Sequence, residues 1–128
     1  MQYEYFYGAQ AEQFSFYRIP KALFTVPNFR ELSTDAKVLY GILLDRMSLS
    51  LKNQWIDAQN KLYIIFTVDE IMDALNCANQ KATRLMVELE KQAGLIERKR
   101  QGLGRPNLIY VKNFAATING KSCEKADS

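Results

Sequence analysis

The sequence predicts an α+β fold, a winged helix-turn-helix with an aromatic N-terminal arm or hairpin, and three observations carry that expectation. Helical and strand periodicities follow one another as helix, hairpin strands, short helix, turn, helix, strand, basic loop, strand. The last helix and the hairpin after it hold the chain's basic excess. A hairpin that follows a helix-turn-helix is placed to act as a wing beside its second helix.

Residues 1–18 form the arm. Tyr3, Tyr5 and Tyr7 alternate, as do Phe14 and Phe16, which suits strand periodicity, with GAQAEQ between them as a loop or a short helical turn. These aromatics either cover the domain's own core or pair with a second copy. Lying outside the helix-turn-helix, they favour dimerisation.

Residues 19–114 read as the winged domain. Pro20 and Pro27 bracket KALFTV, a short helical turn. Ser33 is an N-cap with Asp35 in the first turn, and Ala36, Leu39, Tyr40, Leu43, Leu44, Met47 and Leu51 recur at helical spacing, so a long helix is predicted over 34–51. Gln54 to Asp57 and Leu62 to Phe66 flank a polar AQNK turn as a hairpin. Tyr40, Trp55, Tyr63 and Phe66 read as core. Thr67 and Glu70 make a capping box that opens a helix from Val68 to about Leu75. Asn76, Cys77 and Ala78 form the turn, and Asn79 is read as the cap of the next helix. Its inner face is Ala82, Leu85, Met86, Leu89 and Ala93, and Gly94 ends it. Leu95 and Ile96 return through ERKRQGLGRPN to a strand at Leu108 to Val111. Residues 115–128 are small and polar, as in a linker.

The totals agree with one soluble domain. A chain of 128 residues, 48% apolar, can bury a single core. No apolar run is long enough for a membrane span, and MQYEYFYGAQ lacks a basic stretch followed by an apolar one, so a cytoplasmic location is expected. Cys77 and Cys123 are far apart and expected to be free thiols. Histidine is absent, and no HExxH, GxSxG or phosphate-cradling glycine loop occurs. Neither catalysis nor a metal or cofactor is expected.

The net charge of +3 is unevenly distributed. From Asn79 to Lys112 there are eight basic and three acidic residues, a net of +5, against a net of −2 elsewhere. Localised positive charge points to a polyanion. On the third helix Asn79, Gln80, Lys81, Thr83 and Arg84 lie near the N-terminus or off the apolar stripe, and such side chains read base edges in the major groove. In the hairpin, Arg98, Lys99, Arg100, Gln101, Arg105 and Asn107 are candidate double-stranded DNA contacts, with Gly102 and Gly104 permitting a tight tip. Arg105 suits a narrow minor groove.

Three segments carry a family resemblance: FYRIPKALFTVPNFRELSTDAKVLYGILLDRMSLS, YIIFTVDEIMDAL, and QKATRLMVELEKQAGLIERKRQGLGRPNLIYVKNF. Together they resemble the N-terminal domain of the RepA_N plasmid replication initiators of low-GC Gram-positive bacteria, over about Phe16 to Phe114. The resemblance implies binding to repeated sites (iterons) in a plasmid origin, usually as a dimer. By position, Asn79 to Arg84 would read the iteron and Arg98 to Asn107 would be the wing. It also implies pairing of origins for copy control, and recruitment of host replication proteins by a DnaD-like C-terminal domain. That domain has no counterpart in these 128 residues, so the chain reads as part of a longer protein. A winged-helix transcriptional regulator and a protein-interaction module of a replication complex are the alternatives.

Overall fold

The computed structural model describes residues 2–8 and 13–115. The predicted tail after Ala115, with Cys123, and most of GAQAEQ lie outside the described residues.

After a four-residue helix α1 (Ala22–Thr25), Pro27 opens a 3₁₀ turn (Pro27–Phe29), as its fixed φ and missing N–H allow. These two turns bring Leu23, Phe29 and Leu32 into the core. The long helix α2 (Thr34–Met47) starts where expected: the Ser33 Oγ accepts the Ala36 N–H at 3.2 Å. It ends at Met47, short of the predicted 51. The Ser48 hydroxyl donates to the Asp45 carbonyl at 2.6 Å, and the buried Ser50 hydroxyl donates to the Tyr63 carbonyl at 2.8 Å. These side chains offer the backbone an alternative to further helix.

The hairpin predicted between 54 and 66 contracts to one bridge, Ile56 with Leu62. The corner is locked by the Asp57 carboxylate, which accepts the Gln59 and Lys61 backbone N–H groups at 2.9 Å each, while Asn60 takes a left-handed conformation. These bonds, Lys61 foremost, hold the Asp57 carboxyl below its usual range. Strand β1 (Ile64–Ile65) leaves the corner to join a different sheet. It pairs with β3 (Leu108–Val111), which also pairs with β2 (Ile96–Lys99), all antiparallel in the order β1-β3-β2. The register places Ile96 opposite Val111 and Lys99 opposite Leu108, so β2 runs further into the basic segment than a loop from Glu97 would allow. The Tyr110 hydroxyl donates to Asp57 Oδ2 at 3.0 Å and ties the corner to the sheet.

Between β1 and β2 lie two helices. Helix α3 (Val68–Leu75) has the predicted capping box, with Thr67 Oγ1 accepting from Glu70 N and Glu70 Oε1 accepting from Thr67 N. Asn76 ends it in the left-handed region. Helix α4 (Asn79–Val87) is capped at Ala78, whose backbone is extended and which has no side-chain acceptor. Asn79 is thus the first helical residue and not the cap expected from its side chain: Asn76 and Ala78 make the bend, and the extended backbone that marks a cap falls on Ala78. The helix widens into a π turn (Glu88–Gln92), and Gly94 follows at φ +65° as the expected terminator. The fold is a winged helix-turn-helix: α3, turn, α4, then the β2–β3 hairpin.

One core unites these parts. Ala36, Leu39, Tyr40 and Leu43 of α2 pack with Ile71 of α3, with Ala82, Leu85, Met86 and Leu89 of the last helix and its π turn, and with Ile64, Ile96 and Ile109 of the sheet. The Tyr40 hydroxyl donates to the Lys112 carbonyl at 2.7 Å, and burial pushes its pKa up to about 12. Trp55, Tyr63 and Phe66 are half-buried. The Arg46 guanidinium lies over Trp55 and Phe66 and bonds Glu70 at 2.9 Å.

The arm departs from expectation. Its described residues contain no strand, because alternation gives a strand only where a ladder partner is available. Instead Phe6, Phe14 and Phe16 contact one another edge to face at centroid distances of 6.0 and 6.2 Å, and the arm's aromatics stay exposed, Tyr3 at 83%. The segment after them is seated on α2. A Cβ at Gly41 would lie 2.8 Å from Ile19 Cγ1 and 3.0 Å from the Arg18 carbonyl oxygen. Gly41→Ala would gain about 1 kcal/mol of helix propensity, but the overpacking is expected to cost about 1–3 kcal/mol. A lower urea midpoint with unchanged slope is expected; a higher midpoint would mean that residues 18 and 19 are not packed this way.

Candidate nucleic-acid interface

The basic excess sits on elements held by the core. On α4, burial of Ala82, Leu85 and Met86 turns the opposite stripe outward, so Asn79, Gln80, Thr83 and Arg84 are exposed. Lys81 is placed differently from these: its ammonium meets Asp35 in the first turn of α2 at 2.6 Å. Both partners are half-exposed, so the pair adds little stability. It does direct Lys81 toward α2.

A stronger clasp lies further along. The Glu88 carboxylate accepts both the Ser33 N–H and the Ser33 hydroxyl, each at 2.9 Å. Ser33 is also the α2 cap, so one residue starts α2 and anchors the end of α4. Glu90 then accepts the Arg98 backbone N–H at 3.0 Å and its guanidinium at 2.9 and 2.8 Å. Burial raises the Glu90 carboxyl, but these bonds outweigh it and hold its pKa below the ordinary value. Glu88, Leu89 and Glu90 therefore engage α2, the core and the wing in succession.

The wing's other cations have no such commitment. Lys99, Arg100 and Arg105 are exposed and join no ion pair among the described residues. Gln101 Nε2 donates to the Pro106 carbonyl at 2.8 Å and closes the base of the loop. Asn107 is exposed beside it. A cleft of about 260 Å³ separates the wing from the helix pair, lined by Arg105, Pro106 and Asn107 on one side and by Thr67, Ile71 and Met86 on the other. The structure thus brings the wing loop to the start of α3 and the flank of α4. Tyr3, Tyr5, Tyr7, Phe14 and Phe16 belong to the arm and take no part in this cleft.

The family model for the N-terminus of replication initiator protein A (RepA) matches residues 15–125. The chain belongs to this family. It is also similar to a solved structure described as the N-terminal domain of a DNA-binding protein, with TM-score 0.73 and 35% identity over 99% of this chain and 98% of that one. A structure described as a Rep–DNA complex gives TM-score 0.72 and 38% identity over 86% and 84%. A structure described as an MDR initiator gives 0.71 and 40% over 98% and 99%. A 41 kDa protein of Lactobacillus helveticus is 33% identical over 103 residues, which are 80% of this chain. The chain spans 28% of that relative's length.

Two further exposed residues extend this RepA-family surface, and the apolar one escapes a reading by polarity. Val87 is 40% exposed on the outward stripe of α4, three and four residues after Arg84 and Thr83; helical spacing alone would have found it. Lys91 is exposed one further turn on. Arg98, conversely, is half-buried against Glu90 and holds the wing in place. Removing its carboxylate partner by Glu90→Gln is expected to destabilise the domain by roughly 1–2 kcal/mol at neutral pH. Because Glu90 titrates lower when folded than when unfolded, its contribution is complete above the ordinary glutamate pKa and is lost as pH falls through the folded value. The gap between wild type and variant should therefore be full at pH 7 and close in strong acid. Unfolding midpoints at several pH values check this, and a gap independent of pH would rule out the ion pair as its source.

Proposed function

We propose that this chain is the DNA-binding part of a plasmid replication initiator, which recognises repeated sites in its origin through α4 and the wing. The observation that carries this reading is that Arg84 on α4 and Lys99, Arg100 and Arg105 on the wing are exposed and join no ion pair among the described residues, and these are the two elements a winged helix lays on a duplex. The similarity to the structure described as a Rep–DNA complex supports it. Asn79, Gln80, Thr83 and Arg84 would read base edges, whereas Lys99, Arg100 and Gln101 would meet the backbone. Arg105 would enter the minor groove and Asn107 would flank it. Lys81 and Arg98 would act by fixing α4 and the wing. The exposed arm aromatics would pair with a second copy, giving a homodimer suited to repeated sites and to bringing origins together. This role needs no catalysis or cofactor and belongs in the cytoplasm. Among the described residues no helix is long and apolar enough to cross a membrane.

A footprint of the chain over its own plasmid's origin tests the proposal, with protection of a repeated motif as the expected result. A regulator would instead protect a promoter, and absence of any shift at low salt would leave a protein-interaction module. Neutralising Lys99 and Arg100 together should weaken specific and random duplexes alike. It should also flatten the log–log salt dependence by about 0.9 for each phosphate that is no longer neutralised. An unchanged slope would remove those two residues from the interface.

A further inference from the structure

Leu103 is fully exposed at the outermost point of the wing. A single exposed leucine ordinarily needs no explanation. Here three features of the structure distinguish it. The loop is a built turn: the Arg105 N–H donates to the Gly102 carbonyl at 3.3 Å, and Gly104 takes φ +77°, as the third residue of a type II turn requires. The Gln101–Pro106 bond closes the loop behind it. Leu103 thus occupies the second turn position with its backbone held.

The tip is also narrow. Gly102 and Gly104 flank the leucine, and a Cβ added at either would meet nothing within 4 Å. Neither neighbour in the chain, then, offers the leucine a side chain to lie against. Finally, exposed arginines at 100 and 105 stand on either side of the turn. An apolar apex with cationic shoulders matches the chemistry of proteins that hold minor-groove phosphates with basic groups and push an apolar side chain between base pairs.

We propose that Leu103 is a wedge: it enters the minor groove beneath the wing, partly unstacks one base step and kinks the duplex. The proposal rests on the DNA-binding reading above and adds a DNA deformation to it. It also sets a preference for the DNA. A pyrimidine–purine step under the wing is the easiest to unstack, so such a step belongs there, selected by its deformability in addition to any contact that Arg105 makes.

The test uses a duplex selected by this chain from a random library, with 2-aminopurine placed in turn at each position under the wing. Wild type should raise its fluorescence at one step and bend the duplex by at least about 20° in a circular-permutation assay. Leu103→Ala should abolish the fluorescence rise, reduce the bend and weaken binding by roughly three- to tenfold, since the missing leucine burial is partly offset by avoided unstacking. Leu103→Met should restore all three. Leu103 is no part of the hydrophobic core, so these variants leave the fold intact. Bound but unbent DNA with wild type would overturn the wedge, as would an unchanged fluorescence rise with Leu103→Ala. Failure of wild type to select any duplex would instead overturn the DNA-binding reading itself.

Discussion

Replacing both Arg84 and Arg105 by alanine is expected to remove about 2–6 kcal/mol from binding to the cognate site, at about 1–3 kcal/mol for each base interaction deleted. The two lie on different elements and share no partner among the described residues, so their effects should add. Both are exposed, so the loss should appear in affinity without a change in the unfolding midpoint. Dissociation constants for cognate and scrambled duplexes, at one fixed salt concentration, separate this from a general loss of charge. The cognate duplex should lose more. Equal binding by wild type and double variant would withdraw both residues from the reading surface.

Leu85→Ala should have the largest effect on the fold. Leu85 is wholly buried on the inner face of α4, and its truncation is expected to cost about 2–5 kcal/mol, against a total of about 5–15 kcal/mol for an ordinary domain. Two residues further along the same helix, Val87→Ala should change stability by no more than about 0.5 kcal/mol, as exposed substitutions do. Denaturant unfolding of the two variants reads the inner and outer faces of one helix directly. Equal costs would mean that α4 is rotated about its axis, with Leu85 no longer facing the core.

What the sequence made legible was local. The Thr67–Glu70 box, the Ser33 cap and the three- and four-residue spacing along α2 each depend on neighbours within a turn, and each appears in place. The wing was legible because its glycines and its charge mark the same segment. What escaped depends on distant partners. Glu88 meets Ser33 across 55 positions, and nothing near either residue announces it. The commitments of Lys81 to Asp35 and of Arg98 to Glu90 likewise emerge only when α4 docks on α2 and on β2. Those two residues have the same local chemistry as Arg84 and Arg105, so charge alone could not separate positioning groups from exposed ones. The early end of α2 and the missing arm strands have the same origin. The Ser50 hydroxyl found the Tyr63 carbonyl beyond the next corner in one case, and no ladder partner was present among the described residues in the other.

The run Glu88–Leu89–Glu90 has a mechanical meaning. Its three side chains grip the start of α2, the core and the root of the wing, so the outward stripe of α4 and the base of the wing are held to one another as the jaws of a caliper. A ligand that bridges them meets an opening already set and need not order a loose joint, which keeps the entropic cost of association low. On the DNA-binding reading proposed above, an extra base pair between the two contacts is expected to be absorbed by twisting or stretching the duplex, because the Glu88 and Glu90 bonds clasp the joint between α4 and the wing.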